Sequence, residues 1–319
     1  MLVQEEPIHG RIKVKILAWL KIARLQFYLM AWLAYSMGAV AAFTTTHTFN
    51  SRVYWLGYIL LFLIELCTVL TNEYCDYPTD RLNRNFSIFT GGTRILVEGK
   101  LTFREVRNGI FTVLALIGIF AYLLIRADRS VSSLTILLFL LAGLFLGVGY
   151  TLPPIKLAYR GAGETVVGVT HSFYVTVCGY LFQTGSWSDS LPWLLSIPLC
   201  LATLAAILLA GIPDRQADSA VAKRTVAVIL GSRLTTLLAG CCVCLAALAG
   251  VLLRFAGLLK GTPGMTIFIV IPHAALLLLS LARLVKSDLY DRRIDGIMGS
   301  ALSYIIWFGL IPLVSLLCQ

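Results

Sequence analysis

The sequence predicts an all-α protein that crosses a lipid bilayer nine times. Hydrophobic residues make up 58% of the 319 residues, and charged residues make up only 13%, about half of the roughly 25% found in soluble domains. A chain with so few polar side chains lacks the polar surface that would cover a soluble fold. The same composition argues against a disordered chain, a disulfide-rich scaffold and a nucleic-acid-binding protein. Membrane-spanning strands alternate apolar and polar residues, and because this alternation is absent we expect helices.

Nine apolar segments are each long enough to cross the roughly 30 Å hydrocarbon core of a bilayer as a helix, which rises about 1.5 Å per residue. They lie at about residues 25–43, 53–72, 106–125, 133–150, 164–183, 191–212, 234–255, 265–282 and 298–316. Residues 11–24 mix Lys and Arg with apolar residues, which predicts that residues 1–24 form a basic N-terminal segment at the cytoplasmic membrane interface. Residues 25–319 then form one transmembrane domain.

The distribution of basic residues predicts the orientation. If the N-terminus is cytoplasmic, 21 of the 26 lysines and arginines fall on cytoplasmic segments and the other five fall outside. Cytoplasmic loops of membrane proteins carry such an excess of Lys and Arg. We therefore expect a cytoplasmic N-terminus, an odd number of spans and a C-terminus on the opposite side.

Two compact acidic motifs stand out because the chain has only 16 acidic residues. The first, NEYCDYPTD, places Asn72, Asp76 and Asp80 at i, i+4 and i+8. The second, PDRQAD, places Asp214 and Asp218 at i and i+4. On a helix each set would share one face. Carboxylates at that spacing repel each other, so we expect a cation between them; the alternative is a pair of solvated helix ends.

The ligand types in these motifs favour Mg²⁺. Oxygen ligands without histidine or cysteine suit this ion, whose coordination shell is usually completed by water and substrate phosphates. Pro78 lies inside the first motif and should kink or end the helix before Asp80. We therefore expect Asp80 to reach the site from a turn.

Four predicted spans separate Asp76 from Asp214, which indicates two parallel four-helix repeats followed by a ninth helix. In both repeats a basic loop follows the acidic helix end. Its residues are Arg81, Arg84 and Arg94 in the first repeat and Lys223 and Arg224 in the second. Parallel repeats would bring both motifs to one cytoplasmic cavity, where metal and loop cations would hold a diphosphate. Ionisation of an allylic diphosphate requires such a site above a dry apolar pocket, which protects the carbocation.

At these residues the chain resembles the UbiA superfamily of intramembrane prenyltransferases. The family motif NDxxDxxxD is matched, with glutamate in place of its first aspartate, by Asn72, Glu73, Asp76 and Asp80. The second family motif, DxxxD, is matched by Asp214 and Asp218. Three further stretches are similar to the MenA-like branch: 90–94 (TGGTR), 150–161 (YTLPPIKLAYRG) and 223–225 (KRT). The resemblance covers nearly the whole chain and implies a UbiA-type bundle.

This resemblance implies the transfer of a polyprenyl group from its diphosphate to a hydrophobic or aromatic acceptor, with Mg²⁺ as cofactor. The implied metal ligands are Asn72, Asp76, Asp80, Asp214 and Asp218. The implied diphosphate-binding residues are Arg81, Arg94, Lys156 and Lys223, with Tyr150 beside them. The residues that we take as catalytic are Asp76, Asp214, Lys156 and Tyr150. Glu73 has an arm one methylene longer than aspartate, which leaves its binding of metal open.

Three residues are candidates for acceptor binding, each with an alternative. Glu65 lies in the second span and shares a helix face with Asn72; acids inside spans are candidate functional residues, and pairing with a neighbouring span is the alternative. His171 in the fifth span either lines the acceptor pocket or is a hydrogen-bonded core histidine. Arg24 either contacts an acceptor carboxylate or anchors the first helix at the interface.

The MenA-like motifs favour 1,4-dihydroxy-2-naphthoate as the acceptor and hence menaquinone-type quinone biosynthesis. Alternatives are another aromatic acid, a glycerol-phosphate lipid, and a terpene cyclase that quenches the carbocation internally. The alternative from a different class is a secondary transporter, because intramembrane acids also mark ion pathways. Transporters typically have inverted repeats, whereas the repeats predicted here are parallel. The expected partners are a prenyl diphosphate, an aromatic acceptor and the lipid bilayer.

Overall fold

The computed structural model describes residues 8–127, 131–259, 261, 264–290 and 292–318. Regular structure in these ranges is helical, apart from one isolated β-bridge between Arg160 and Arg224. Residues 1–7 of the predicted basic segment lie outside the described residues. The α-helices are α1 (Ile8–Ile22), α2 (Tyr28–Thr46), α3 (Ser51–Cys75), α4 (Tyr77–Leu82), α5 (Phe103–Ala127), α6 (Ser133–Val148), α7 (Gly163–Val169), α8 (Val175–Thr184), α9 (Ser190–Ala220), α10 (Val226–Phe255), α11 (Ile271–Ser287) and α12 (Asp295–Leu317).

Each of the nine predicted spans corresponds to a helical segment. Among the described residues, eight segments are long and apolar enough to cross a membrane, and α6 is a shorter apolar helix. A π-helical turn over Thr170–Tyr174 joins α7 and α8 into one span, and a second one over Thr266–Val270 extends α11. The predicted all-α fold is confirmed, and the chain is a multi-pass membrane protein.

The first acidic motif spans a break between two helices. α3 ends at Cys75, and α4 begins at Tyr77 with Pro78 in its first turn. The break predicted from Pro78 is therefore present. The expectation that Asp80 lies in a turn was wrong, because Asp80 belongs to the short helix α4. Asn72 and Asp80 consequently do not share one continuous helix face.

The second acidic motif lies on a helix that continues beyond its apolar segment. α9 passes through Pro213 without ending and continues to Ala220. Both Asp214 and Asp218 therefore lie on regular helix, one turn apart on one face. This extension carries the motif towards α4, against which α9 packs.

Close packing of α2 and α8 joins helices from the two predicted repeats. A Cβ on Gly38 would lie 1.9 Å from the Thr176 carbonyl oxygen, and a Cβ on Gly179 would lie 2.2 Å from the Tyr35 carbonyl oxygen. Small residues let helix backbones approach closely inside membranes. The paired helices border a cavity that α3, α6, α7, α9 and α12 also line.

Candidate active site

The first acidic motif lies where α3 ends and α4 begins. The buried Asp76 carboxylate accepts one hydrogen bond from the Tyr159 hydroxyl and one from Lys223 Nζ, each 2.8 Å long. Burial and the adjacent Asp76 carboxylate raise the pKa of Tyr159, so its hydroxyl remains a donor at neutral pH. One turn earlier, Asn72 faces the cavity, and its buried Oδ1 has no hydrogen-bond partner among the described residues.

The second acidic motif is tied to the loop that follows the first. Asp214 Oδ1 accepts a hydrogen bond from Asn83 Nδ2 at 2.7 Å, and Oδ2 accepts one from the Gly91 backbone N–H at 3.3 Å. The buried Asp218 carboxylate has its Oδ1 3.6 Å from Lys223 Nζ. Since Lys223 also binds Asp76, the structure brings the two motifs together at one place.

Buried negative charge dominates this place. Its acidic residues are Glu73, Asp76, Asp80, Asp214 and Asp218, and the cations bonded to them are Arg24 and Lys223. Burial, with the nearby Glu73 carboxylate, raises the pKa of Asp80 to about 8. Burial alone would lower the pKa of Lys223, but the Asp76 and Asp218 carboxylates outweigh it and raise that pKa. The site therefore favours additional positive charge.

The donor set fits Mg²⁺ only in part. Within the described residues, no group of three or more Asp, Glu, His or Cys side chains is arranged to hold a metal by itself. Lys223 instead lies between Asp76 and Asp218. The buried, unpartnered Oδ1 of Asn72 and the burial of Asp80 nevertheless suit an ion that takes one or two carboxylates and completes its shell with water and phosphate oxygens.

A cavity of about 280 Å³ lies inside the bundle, and Asn72 of the first acidic motif is part of its wall. Arg24, Asn72 and Tyr150 line its wall together with many apolar side chains, and Glu65 and His171 are also part of the wall. Glu65 precedes Asn72 by about two helical turns, so the two residues lie about 10 Å apart along α3. The cavity thus combines a polar end, an apolar body and a second polar pair deeper in the bundle.

Residues 31–294 match the sequence model of the UbiA prenyltransferase family, and this match covers most of the chain. The protein belongs to the UbiA family. It is therefore a prenyltransferase, and the transporter alternative is wrong. No curated protein matches the chain in sequence.

Solved structures of UbiA homologues share this fold. The apo structure of a homologue from Aeropyrum pernix K1 is 17% identical, with a TM-score of 0.62 over 89% of this chain and 96% of that chain. A homologue from Archaeoglobus fulgidus bound to GPP and Mg²⁺ is 15% identical, with a TM-score of 0.54 over 93% and 99%. A structure of digeranylgeranylglyceryl phosphate synthase is 14% identical, with a TM-score of 0.57 over 95% and 98%. At these identities the likeness concerns the fold.

In this UbiA-family chain, the glutamate of the first motif anchors a loop. Glu73 is 3% exposed, and its Oε1 accepts hydrogen bonds from Arg24 Nη2 at 2.6 Å and from the Thr93 backbone N–H at 2.8 Å. Its Oε2 accepts a hydrogen bond from Thr93 Oγ1 at 2.7 Å. Both oxygens are therefore engaged by the protein. The sequence predicted that Arg24 either contacts an acceptor carboxylate or anchors the first helix at the interface. In the structure Arg24 is paired with Glu73 and also lines the cavity.

We expect Glu73→Gln to destabilise the protein by about 2 to 4 kcal/mol, because the half-buried Arg24 guanidinium loses its counter-charge. Thermal unfolding of the detergent-purified protein measures the effect. Glu98→Gln is the matched control: it breaks an exposed pair with Lys100 and should change stability by roughly 0 to 1 kcal/mol. Equal unfolding temperatures for the two variants would contradict the anchoring role of Glu73.

Arg94 supports the loop between α4 and α5. Its Nη1 donates hydrogen bonds to the Asp80 carbonyl oxygen at 2.7 Å and the Asn83 carbonyl oxygen at 3.4 Å. Its guanidinium also stacks on the Phe86 ring, 4.3 Å from the centroid. The sequence predicts that Arg94 binds diphosphate. In the structure its side chain has a structural role that the sequence did not indicate.

The other predicted diphosphate ligands lie at different depths. Lys156 Nζ is 4.7 Å from the centroid of the Tyr159 ring, and Lys223 Nζ is 5.4 Å from the same centroid. Tyr159 therefore lies between two cations and the first acidic motif. Arg81 is exposed on α4, and its side chain makes no hydrogen bond or ion pair among the described residues. The structure brings Lys156 and Lys223 together but leaves Arg81 at the surface.

Sequence reasoning missed the loop residues that hold the acids in place. Gly92 packs directly against Asp80: a Cβ at this position would lie 2.0 Å from Asp80 Oδ2, and its φ of +71° favours glycine. Asn83 and Tyr159 bind the motif carboxylates. Two of these residues, Gly92 and Tyr159, belong to the TGGTR and YTLPPIKLAYRG stretches, but the sequence predicted no role for them. The adjacent glycines of TGGTR are the signal that could have indicated a close approach of backbone to the site.

Proposed function

We propose that this protein transfers a polyprenyl group from its diphosphate to a hydroxylated aromatic acid, with 1,4-dihydroxy-2-naphthoate as the best candidate, in menaquinone-type quinone biosynthesis. The observation that carries the proposal is that Asn72 of the first acidic motif lines a largely apolar cavity inside the membrane bundle, while Lys223 links this motif to the second one. A diphosphate at the acidic end leaves the apolar body for a prenyl chain. The aromatic acceptor is supported by the MenA-like stretches and by Arg24, which lines the cavity while its Nη2 binds Glu73 and would bring positive charge to an acceptor carboxylate.

The five motif residues would hold Mg²⁺. They are Asn72, Asp76, Asp80, Asp214 and Asp218. When bound, the ion supplies positive charge to the departing diphosphate. The fold shared with the A. fulgidus homologue bound to GPP and Mg²⁺ supports this choice of cofactor.

The remaining residues bind the diphosphate and protect the allylic cation. Lys223 and Lys156 would place their ammonium groups on diphosphate oxygens, with Arg81, Arg94 and Tyr150 in supporting positions. The cavity wall includes Tyr28, Tyr58 and Phe62. Their ring faces stabilise positive charge, and the apolar wall excludes the water that would otherwise capture the cation.

The active site faces the cytoplasm in this proposal. The acidic motifs lie at the ends of α3 and α9, and each is followed by a basic loop. The excess of Lys and Arg on loops at this end supports a cytoplasmic N-terminus and a C-terminus on the opposite side.

Incubation with prenyl diphosphates of several lengths and a panel of acceptors tests the proposal. Membranes containing the protein receive Mg²⁺, one donor and one acceptor, and the lipid extract is examined by mass spectrometry. We expect a prenylated naphthol product from 1,4-dihydroxy-2-naphthoate. A product only with a glycerol-phosphate acceptor, or a cyclic terpene formed without any acceptor, would contradict the aromatic assignment and support one of the alternatives.

A further inference from the structure

Glu65 and His171 form a polar pair within the cavity that the steps above do not use. Glu65 comes from α3, and His171 comes from the π-helical turn between α7 and α8. His171 Nε2 lies 3.7 Å from Glu65 Oε1, and both side chains line the cavity. Ionisable side chains inside membrane spans are costly and usually mark function, and π-helical turns often occur at functional sites.

The surroundings of His171 determine which ring nitrogen carries hydrogen. Nδ1 lies 3.2 Å from the Val167 carbonyl oxygen and 3.1 Å from Thr170 Oγ1. A carbonyl oxygen only accepts hydrogen bonds, and Thr170 donates its own hydroxyl hydrogen to the Val166 carbonyl oxygen at 2.8 Å. Nδ1 is therefore the donor. In the neutral ring, Nε2 then presents a lone pair towards Glu65.

The gap between the two side chains fits an oxygen atom from a ligand. At 3.7 Å the Nε2 and Oε1 atoms are too far apart for a direct hydrogen bond. Within the described residues, Glu65 has no closer hydrogen-bond partner. A hydroxyl oxygen placed about 2.8 Å from Nε2, a normal hydrogen-bond length, can donate its one hydrogen to that lone pair, with the Glu65 carboxylate beside it. The pair is thus built to receive a hydroxyl group.

We propose that the Glu65–His171 pair binds a hydroxyl group of the aromatic acceptor and takes its proton as the acceptor is prenylated. This inference rests on the proposed function, because it needs a hydroxylated acceptor in the cavity. His171 is the catalytic base through Nε2. Glu65, 3.7 Å from Nε2, supplies the negative charge that stabilises the imidazolium that forms.

The bond changes balance within the two substrates and the pair. The acceptor O–H bond breaks, its electrons enter the ring, and the ring carbon bonds to C1 of the prenyl group. The C–O bond to the diphosphate breaks, and its electron pair leaves with the diphosphate. The proton moves to His171 Nε2. The ring carbon then loses its hydrogen as a proton or its carboxylate as carbon dioxide, and the oxygen recovers a proton as aromaticity returns.

Steady-state kinetics of His171→Gln tests the base, with geranyl diphosphate, Mg²⁺ and 1,4-dihydroxy-2-naphthoate as probes. We expect kcat to fall by about 100-fold, as for the loss of a general base, with the KM for the acceptor changed less than about threefold. His171→Ala should fall similarly and recover part of kcat when imidazole is added, which a structural role would not produce. His273→Gln is the matched control, because His273 bonds Ser300 and Trp307 and lies outside the cavity wall.

Thermal stabilisation by Mg²⁺ with geranyl diphosphate reports the donor site separately and should be the same in wild type and His171→Gln. If the wild type transfers the geranyl group but His171→Gln retains kcat within about twofold, the base assignment is wrong and the proposed function stands. The absence of imidazole rescue in a folded His171→Ala variant also overturns the base. A wild type that prenylates no hydroxylated aromatic acid overturns both proposals.

Discussion

Asp76→Ala is expected to slow Mg²⁺-dependent diphosphate release from geranyl diphosphate by at least about 100-fold, the usual minimum effect of removing a main charge-stabilising group. The Asp76 carboxylate is buried and joins three parts of the site: it binds Tyr159 and Lys223, and Lys223 reaches Asp218. Its removal takes away one proposed metal ligand and leaves Lys223 with a single distant carboxylate. Diphosphate release from purified protein is the measurement.

Asp214→Ala should have an equal effect, because this carboxylate binds both Asn83 and the Gly91 backbone N–H. Asp189→Ala is the control: Asp189 precedes α9 at the end opposite the motif, and its removal should leave the rate within about twofold of wild type. Diphosphate release at the wild-type rate by Asp76→Ala or Asp214→Ala would show that the acidic motifs are not catalytic.

Gly92→Ala is expected to reduce prenyl transfer by about 100-fold, close to the loss of the neighbouring acid itself. The added methyl group would lie 2.0 Å from Asp80 Oδ2 and 2.3 Å from Cγ. Because Asp80 is 7% exposed and its carbonyl oxygen is held by Arg94, its side chain has little room to move away. The Asp80 carboxylate must therefore leave its position. Transfer rates at saturating donor and increasing Mg²⁺ concentration give the measurement.

Gly99→Ala separates this collision from backbone strain. Gly99 also has a positive φ, +66°, but a Cβ there meets nothing within 4 Å. Both variants therefore share the conformational penalty of a left-handed residue, roughly 1 kcal/mol, and only Gly92→Ala displaces the acid. If the two variants lose activity to the same extent, the contact between Gly92 and Asp80 has no role in catalysis.

The nine apolar spans found in the described part of the chain could be predicted from the sequence, because a helix in lipid must be apolar along its length. The helix ends that matter most could not. An apolar segment stops at the membrane surface, whereas α9 continues through Pro213 to Ala220. These last turns are polar, and only contacts with distant residues such as Asn83 and Lys223 show why they remain helical beside the first motif.

The spacing of the acidic residues predicted that the five motif residues lie at one site. It did not predict which residues they bind. The pairing of Glu73 with Arg24 joins residues 49 positions apart, and that of Lys223 with Asp76 joins residues 147 positions apart. Such pairs depend on loop conformation, which hydrophobic periodicity does not encode. Lys223 was predicted to bind diphosphate, whereas in this structure its ammonium group contacts the carboxylates of Asp76 and Asp218. Arg94 was predicted to bind diphosphate and holds backbone carbonyls.

The position of Lys223 between Asp76 and Asp218 bears on how the protein matures. A membrane enzyme is inserted and folded before it meets its substrates, and the acidic ends of α3 and α9 must approach each other at that stage. The Lys223 ammonium, which belongs to the chain itself, offsets part of their mutual repulsion whatever the magnesium concentration of the cell. The chain thus supplies its own counter-ion where the two acidic motifs meet.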